Sequence, residues 1–553
     1  MIRDILESYE ELTVDEELSD DICLFSLYGK QFAFGAPNKR EPSSRPVILL
    51  RNDTGLDIPH IMLKEFTIST GKRLPEGSYR FICLYEHESV VFSMISFEDK
   101  IYDAIDRLIK LLTMNPTERE HEFQKEFMFY WNCQADNKQQ YNIYLSNDLQ
   151  FSNMLLFFGK KSIRIIEDGL DLNDIHDRNN TELEWTQHLE TDVYHIPIAD
   201  NRGILPPHRG YEWTAQSIRN IVYGLQIEHI EENVYHQLAE IKPKRQNIIL
   251  VFSMRTTQSF ATFAVLIKCN NVGGHTLLER LKNDIVSVEP LYTERRDYRY
   301  LNRMIGNDSA LLNKRVLLIG AGSLGSYISF ELVKNGVSNI KIFDGDTLEE
   351  ENILRWSYGG IGKGTSKAGC LNILLKNLHP EIHVATVDEN IDCAILAKEA
   401  LQSDLIIFTI GNSDSQLSFN SQLKAIGCTV PVIYTWLESG GVYSHILVVD
   451  YQKPGCFECL FTDENGEPTN NRASKSTEIE NSIIQNGCGG TRAAYGTSIL
   501  LRTTSALLDT LSQLFSNQIF SNVLIDISPE KREISEVRFP QEACKCCGDQ
   551  SSK

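Results

Sequence analysis

Two cysteine pairs are the residues of this sequence whose spacing points most directly to chemistry. Cys456 and Cys459 form one C-x-x-C pair, and Cys544 and Cys547 form a second near the C-terminal end. Four thiolates in a tetrahedral arrangement hold a structural Zn²⁺, and such a site would tie the tail to the preceding segment. We favour zinc over a redox pair or unligated thiols, with Cys546 as a spare.

A glycine-rich loop provides a second chemical signal. Gly320, Gly322 and Gly325 form a G-x-G-x-x-G pattern between an apolar strand, RVLLIG, and the start of a helix. These glycines permit a tight turn, close approach of a phosphate to the backbone, and close helix packing. Asp344 follows 22 residues after Gly322, where an acid would hold a ribose hydroxyl. Alone, the pattern suits NAD, FAD or ATP.

Two basic residues that follow Asp344 distinguish ATP from NAD and FAD as the ligand. Arg355 and Lys367 follow Asp344 closely, and a dehydrogenase has no need of such a cluster. A guanidinium can bind two phosphate oxygens in its fork, and an ammonium adds a point charge. The cluster therefore favours a triphosphate and argues against a non-catalytic NAD-binding scaffold.

A single cysteine has the surroundings of a nucleophile. Cys488 lies in NGCGGTR, before a long helix predicted to start near Tyr495. The flanking glycines would leave its sulfur exposed, and Arg492 with the helix N-terminus would lower its pKa. A buried structural cysteine would not need these glycines, so we interpret Cys488 as catalytic.

The elements that position these residues change in character along the chain. Short strands broken by turns are predicted from Pro46 to Phe92, followed by an amphipathic helix from Ile101 that Pro116 should stop. Residues 151–298 alternate strand and helix signals and are expected to form an α/β linker domain. From Lys314, strands and helices alternate as in a largely parallel sheet.

The C-terminal motifs resemble the ThiF, MoeB and ubiquitin-activating family, whose signature is GxGxxG, DxD, ExN, an arginine and a later lysine. The resemblance implies that ATP binds at the glycine loop and at Asp344, Asp346, Asn352, Arg355 and Lys367. It also implies Mg²⁺, but Ile410-Gly411-Asn412 stands where the family has a metal-binding Asp. Either Asp414 or Asp346 is the alternative ligand.

The same resemblance extends to further residues. Arg303 matches an arginine that family members lend across a homodimer interface to the neighbouring ATP. Cys488 lies in the crossover segment that carries the thioester cysteine of activating enzymes. The four paired cysteines correspond to the family's zinc site.

The N-terminal part is similar to ubiquitin-conjugating domains. A strand leads into Cys83-Leu84, and an amphipathic helix then leads to Asn115-Pro116. The resemblance makes Cys83 the second catalytic thiol. The usual His-Pro-Asn triplet is missing, which leaves His60 and His87 as candidates for stabilising the oxyanion.

Over its whole length the chain resembles the bacterial E2–E1 fusion proteins associated with CD-NTases in CBASS antiphage operons. The predicted fold is α/β: an α+β conjugating-like domain (1–150), the linker domain (151–298) and a ThiF-type, Rossmann-like adenylation domain (299–553). The resemblance implies a multifunctional enzyme that joins the C-terminus of a cyclic-oligonucleotide synthase (a cGAS/DncV-like CD-NTase) to target amines.

Two other functions share the ATP site. One is a sulfur-carrier adenylyltransferase of the MoeB or ThiF type, which has no use for Cys83. The other is a fusion that conjugates a small bacterial ubiquitin-like protein.

Composition and charge restrict the partners and the cellular location that can be expected. The chain has 553 residues, 54 basic and 75 acidic, a formal charge of −21 that disfavours nucleic acid as a partner. The N-terminus lacks the apolar core of a signal peptide, and apolar runs are shorter than the ~20 residues of a membrane helix. A cytoplasmic protein with no membrane partner is expected.

Overall fold

The structure is a computed structural model. It describes residues 2–51, 55–56, 58–62, 65–69, 73–85, 90–160, 162–170, 185–208, 211–224, 228–256, 260–270, 273–307, 310–468, 471–475, 482–484, 491–530, 532–535 and 542–548. The chain divides into two compact units, the first extending to Arg296 and the second beginning in the main at Asp297. Within the described residues, no helix combines the length and apolarity needed to cross a bilayer.

The first unit begins with a six-stranded antiparallel sheet in the order β1-β2-β3-β4-β6-β5. One side of the sheet packs with helices into an apolar core, because Phe25, Phe32 and Phe34 meet the apolar stripe of α2. The elements are α1 (Ile2–Leu6), β1 (Leu12–Ser19), β2 (Ile22–Leu27), β3 (Lys30–Gly35), β4 (Val47–Arg51), β5 (Phe66–Ile68), β6 (Gly77–Ile82), α2 (Phe97–Leu112), α3 (Pro116–Lys125) and α4 (Phe127–Gln134).

The predicted amphipathic helix is present, but Pro116 does not stop it. Helix α2 buries Ile101, Ile105 and Leu108, as its apolar spacing requires, and ends earlier, at Leu112. Pro116 instead occupies the first turn of α3, where a missing N–H is tolerated. Asn115 caps that helix by accepting from the Glu118 N–H at 3.0 Å.

A second, eight-stranded sheet belongs to the same unit and has the order β10-β8-β11-β12-β13-β14-β7-β9. It closes on itself because β9 pairs with β7 on one side and with β8 on the other. The elements are β7 (Asp136–Tyr144), β8 (Ser152–Phe158), β9 (Ile163–Glu167), β10 (Thr186–Gln187), β11 (Thr191–Ile198), α5 (Ala215–Tyr223), α6 (Glu232–Glu240), β12 (Asn247–Arg255), β13 (Phe260–Cys269), α7 (Leu277–Asn283) and β14 (Ile285–Arg295).

The second unit is built on an eight-stranded sheet in the order β17-β16-β15-β18-β19-β20-β23-β24. Its first five strands are parallel and the last three pair antiparallel. The elements are α8 (Tyr298–Met304), β15 (Arg315–Ile319), α9 (Ser323–Lys334), β16 (Asn339–Phe343), α10 (Lys367–Lys376), β17 (His383–Val387), α11 (Cys393–Ala400), β18 (Leu405–Phe408), α12 (Ser413–Ala425), β19 (Val432–Leu437), β20 (Ser444–Val449), β21 (Ser482–Ile484), β22 (Thr491–Ala493), α13 (Thr497–Phe515), β23 (Val523–Ile527) and β24 (Arg532–Ser535).

The predicted α/β fold class is confirmed. The central parallel strands β15 and β18 are almost wholly apolar, as expected for strands covered on both faces, and the parallel strands direct their carboxyl ends to one edge. Strand β7 already belongs to the second sheet of the first unit. The domain boundaries at residues 150 and 298 stay predictions.

Candidate functional site

The glycine loop joins β15 to α9 in the manner that the sequence pattern predicts. Gly320 has a φ of +103°, and a Cβ there would lie 2.7 Å from the Thr409 hydroxyl. A Cβ on Gly325 would collide with the Gly320 carbonyl oxygen. Helix α9 can therefore approach the loop this closely only with glycine at position 325. Gly322 precedes α9 and offers no side-chain cap, which leaves the first N–H groups of the helix for a ligand.

Asp344 stabilises the glycine loop through hydrogen bonds to the backbone. Its carboxylate accepts from the Ala321 N–H at 2.6 Å and from the Asp346 N–H at 2.8 Å. Burial raises the pKa of Asp344, against the opposing effect of these two backbone donors. Its contact with a ribose stays a prediction.

Beside the loop is a cavity of about 610 Å³. Five of the predicted ATP-binding residues line it together: Gly322, Asp346, Asn352, Arg355 and Lys367. Residues that sequence reasoning missed complete the wall, notably Trp356, Thr409, Trp436 and Tyr495. A nucleotide-sized space bordered by a helix N-terminus and two cations suits an anionic ligand.

The two cations differ in how they are held. The Lys367 ammonium lies 2.8 Å from an Asp346 carboxylate oxygen, with the lysine side chain only 10% exposed. The Arg355 guanidinium carbon lies 5.5 Å from the ring centroid of Tyr495. The Nε of Arg355 is buried and has no hydrogen-bond partner among the described residues. A buried guanidinium N–H without an acceptor fits a phosphate oxygen as the missing partner.

Two residues outside the predicted set hold the loop in place. The Trp356 indole N–H donates to the Ala321 carbonyl at 2.9 Å, and the Thr409 hydroxyl donates to the Gly320 carbonyl at 2.9 Å. Trp356 directly follows Arg355 in the sequence. Its position next to a predicted phosphate-binding residue was the signal that could have indicated a role at this site. Thr409 directly follows β18, the strand adjacent to β15, and offered no local signal in the sequence.

The two candidate acids for Mg²⁺ occupy different places. Asp346 lines the cavity, whereas Asp414, in the first turn of α12, is not among its described lining residues. Asn412 caps α12 by accepting from the Ser415 N–H at 2.8 Å. The geometry favours Asp346. Arg303 lies in the last turn of α8 and is also not among the described lining residues.

The structure brings the four predicted zinc ligands together. The sulfur atoms of Cys456, Cys459, Cys544 and Cys547 all lie within 4.8 Å of one another. Cys546 accepts instead from the Asn420 amide at 3.1 Å, in keeping with a spare thiol. A hydrogen bond from Cys459 is the main cause that lowers the pKa of Cys456, which favours the thiolate form that binds metals.

A buried charge network, which the sequence did not indicate, lies next to the cavity wall. The His445 ring lies 2.6 Å from a Glu438 carboxylate oxygen and 2.7 Å from one of Asp526. Lys475 joins it with an ion pair of 2.6 Å to Asp526. The network therefore ties Lys475 to strands β20 and β23. Cys488 itself lies outside the described residues.

A second candidate site is in the first unit. Cys83 directly follows β6, is half-buried and lines a cavity of about 340 Å³ together with His60. Its N–H donates to the His60 carbonyl at 2.8 Å. The other candidate, His87, lies outside the described residues.

The ThiF family matches residues 299–547. The ATP-dependent ubiquitin transferase-like protein Cap2 of Pseudomonas aeruginosa is 21% identical and matches over 91% of this chain and 90% of its own length. Protein y4oA of Sinorhizobium fredii is 22% identical over 46% of this chain, and ubiquitin-like modifier-activating enzyme 5 of Branchiostoma floridae is 23% identical over 34%. The chain spans about half the length of these last two relatives, 47% and 48%. These matches confirm the predicted resemblance to ThiF-type and ubiquitin-activating-like proteins.

Proposed function

We propose that this chain, whose residues 299–547 match the ThiF family, activates the C-terminal carboxylate of a protein with ATP and transfers it to an amine. One observation carries the first half: a nucleotide-sized cavity at the glycine loop is lined by Lys367 and by Arg355, whose buried Nε has no hydrogen-bond partner in the part of the chain that the structure describes. The direct test is exchange of labelled pyrophosphate into ATP, which should depend on an added protein with a free C-terminus.

Adenylation follows from the charges of the site. The carboxylate oxygen attacks the α-phosphorus of ATP, the bond to the β-phosphate oxygen breaks, and pyrophosphate leaves. Negative charge grows on the departing oxygens, and Arg355 and Lys367 neutralise it with charges that are already in place. Asp346 would hold Mg²⁺, which supplies further neutralisation of phosphate charge when bound.

Two thiols then receive the activated carboxyl group. Cys488 thiolate attacks the acyl-adenylate, a C–S bond forms, the C–O bond breaks and AMP leaves. Exchange to the Cys83 thiol is close to thermoneutral, because one thioester replaces another. An amine finally attacks the thioester carbonyl carbon and releases the Cys83 thiolate. A single chain raises the effective concentration of the second thiol, which is a physical reason for the fusion.

The substrate class is proposed from the whole-length likeness to Cap2, a ubiquitin transferase-like protein. We infer a cyclic-oligonucleotide synthase of the CD-NTase type, acted on in an antiphage CBASS system in the cytoplasm. A bacterial ubiquitin-like protein is the second candidate, favoured by the likeness to ubiquitin-like modifier-activating enzyme 5. Exchange assays with each purified candidate would separate the two.

The ATP site is proposed to be shared in a homodimer, with Arg303 reaching the partner's cavity. Arg303→Ala and Arg355→Ala proteins should each be nearly inactive alone. Mixed in equal amounts and allowed to exchange subunits, they should recover about a quarter of wild-type pyrophosphate exchange, because half of the dimers then hold one intact site. No recovery in a mixture shown by native mass spectrometry to contain the mixed dimer would contradict the shared site.

The four clustered cysteines are proposed to hold one structural zinc per chain. Cys459→Ser should lower the zinc content measured by elemental analysis to near zero and destabilise the second unit, because metal binding contributes to folding. Cys546→Ser, which alters the neighbouring spare thiol, is the matched control and should keep the zinc. Equal zinc in both variants would mean that the metal ligands lie elsewhere.

A further inference from the structure

Tyr495 is an aromatic residue of the nucleotide cavity that contacts a cation proposed to bind phosphate. The guanidinium carbon of Arg355 lies 5.5 Å from the centroid of the Tyr495 ring. Both residues line the cavity of about 610 Å³, and both are half-buried. A cation within about 6 Å of an aromatic ring is attracted to the negative face of that ring. The two side chains therefore interact at the wall of this cavity.

The backbone at Tyr495 is fixed by a neighbouring turn. Gly440 donates its N–H to the carbonyl oxygen of Ala494 at 2.7 Å. A Cβ on Gly441 would lie only 3.3 Å from the Cβ of Tyr495, so the turn can approach this closely because position 441 has no side chain. Gly440 and Gly441 have φ values of +76° and +64°, which glycine adopts without strain. The fold of the second unit thus sets the position of the tyrosine, whose side chain packs against the apolar core of that unit.

Arg355 differs from Lys367 in the kind of group that holds it. Lys367 pairs with a carboxylate oxygen of Asp346 at 2.8 Å, whereas no described carboxylate forms an ion pair with Arg355. The Nε of Arg355 is buried and has no hydrogen-bond partner among the described residues. The Tyr495 ring is the electrostatic contact that the structure gives to this guanidinium.

An aromatic ring is chemically suited to hold a cation that must also bind an anionic ligand. A carboxylate in the same place would accept from the guanidinium N–H groups and would neutralise the charge that attracts phosphate. A ring attracts the cation through its π electrons and leaves the N–H groups available. One arginine can therefore contact a ring and donate to phosphate oxygens at the same time.

We propose that Tyr495 is a positioning residue for ATP: its ring holds the Arg355 guanidinium at the cavity wall and leaves the N–H groups free for the triphosphate. This inference rests on the proposed function, in which Arg355 binds the phosphates that leave as pyrophosphate. A cation that is already held in place loses less conformational freedom when the nucleotide binds, so the affinity for ATP is higher. Tyr495 thus acts through Arg355.

Calorimetric titration of the full-length chain with Mg-ATP is the first test. Tyr495→Leu keeps an apolar side chain but removes the π electrons, and it should weaken ATP binding roughly 5-fold, within the range that one cation–π contact contributes. Tyr495→Met, a second apolar substitution without a ring, should reproduce this loss. Tyr495→Phe keeps the ring and should retain most of the affinity.

Phe515→Leu is the matched control. The ammonium group of Lys314 lies 4.8 Å from the centroid of the Phe515 ring, in the same unit but outside the described lining of the cavity. This substitution removes a cation–π contact from another place, so the variant should bind ATP like the wild type. Thermal unfolding of each variant without nucleotide verifies that the second unit is folded.

A double-mutant cycle separates positioning of Arg355 from a merely structural role. Affinities are measured by displacement of a fluorescent ATP analogue, with the competing nucleotide in large excess. In the Arg355→Ala background, Tyr495→Leu should cause no further loss of ATP affinity, because the cation that the ring holds is gone. AMP lacks the phosphates assigned to Arg355 and should bind equally to the wild type and to Tyr495→Leu. A ring that stacked on the adenine, or that only supported the fold, would instead change AMP and ATP affinity alike.

The possible outcomes distinguish this inference from the proposed function. Equal ATP affinity of Tyr495→Leu and the wild type would overturn the inference, as would an undiminished further loss in the Arg355→Ala background. Failure of the wild type itself to bind ATP would contradict the proposed function, and that result is recognised in the wild-type titration, without any variant.

Discussion

Arg355→Ala is expected to lower carboxylate-dependent exchange of pyrophosphate into ATP by roughly 10²-fold or more. The guanidinium lines the nucleotide cavity, and its buried Nε has no partner among the described residues. Its interactions are thus available for phosphate oxygens, and they strengthen as charge develops on the leaving pyrophosphate. Exchange is the appropriate measurement because it isolates adenylation from the later thiol steps.

Arg315→Ala is the matched control for this substitution. Arg315 is half-exposed at the start of β15, pairs with Asp404 at 3.0 Å and belongs to the same unit, outside the described cavity lining. Its removal should change exchange by little, since exposed ion pairs contribute about 0–1 kcal/mol to stability. Exchange at the wild-type rate in Arg355→Ala would contradict the assignment of this cavity to the triphosphate.

If the carboxyl group passes from Cys488 to Cys83, substitution of each cysteine should stop the reaction at a different step. Cys488→Ala should form acyl-adenylate and exchange pyrophosphate but carry no thioester. Cys83→Ala should accumulate a thioester on Cys488 and make no amide product, a complete loss of conjugation. Both adducts should disappear under reducing agent, unlike the final amide, because a thiol displaces a thioester and leaves an amide intact. Intact mass spectrometry with and without reductant distinguishes these species.

Cys133→Ala provides the control for the relay, because Cys133 is an exposed thiol in the same unit as Cys83. Its substitution should leave both thioesters and the product unchanged. If Cys83→Ala conjugated its substrate at the normal rate, the N-terminal domain would not be a conjugating enzyme. The sulfur-carrier adenylyltransferase hypothesis would then be favoured.

Signals local in sequence predicted much of the second unit. Gly320 and Gly325 are required by contacts within one strand–turn–helix segment, and Arg355 and Lys367 follow it closely, so motif spacing sufficed to place them at one cavity. The cysteine pairs were also predictable, because each C-x-x-C fixes two neighbouring ligands by itself. The end of α2 was not, since Pro116 suits the first turn of a new helix as well as the end of an old one.

Features that depend on long-range pairing could not be predicted. His60 lies between β4 and β5, whereas Glu122 is in α3 and Glu126 directly follows that helix, so only the tertiary fold brings the three side chains together. His445 lies seven residues from Glu438 but far along the chain from Asp526, and only the pairing of β20 with β23 joins them. Such clusters have no motif spacing, so one sequence does not reveal them.

The central claim is that the glycine-loop cavity binds ATP as a carboxylate-activating site. Calorimetric titration of the purified chain with Mg-ATP and separately with NAD tests it most directly, because no protein substrate is needed. The account predicts saturable binding of ATP that is weakened by Arg355→Ala, with NAD binding much more weakly. Preference for NAD, or ATP binding unaffected by Arg355→Ala, would contradict it.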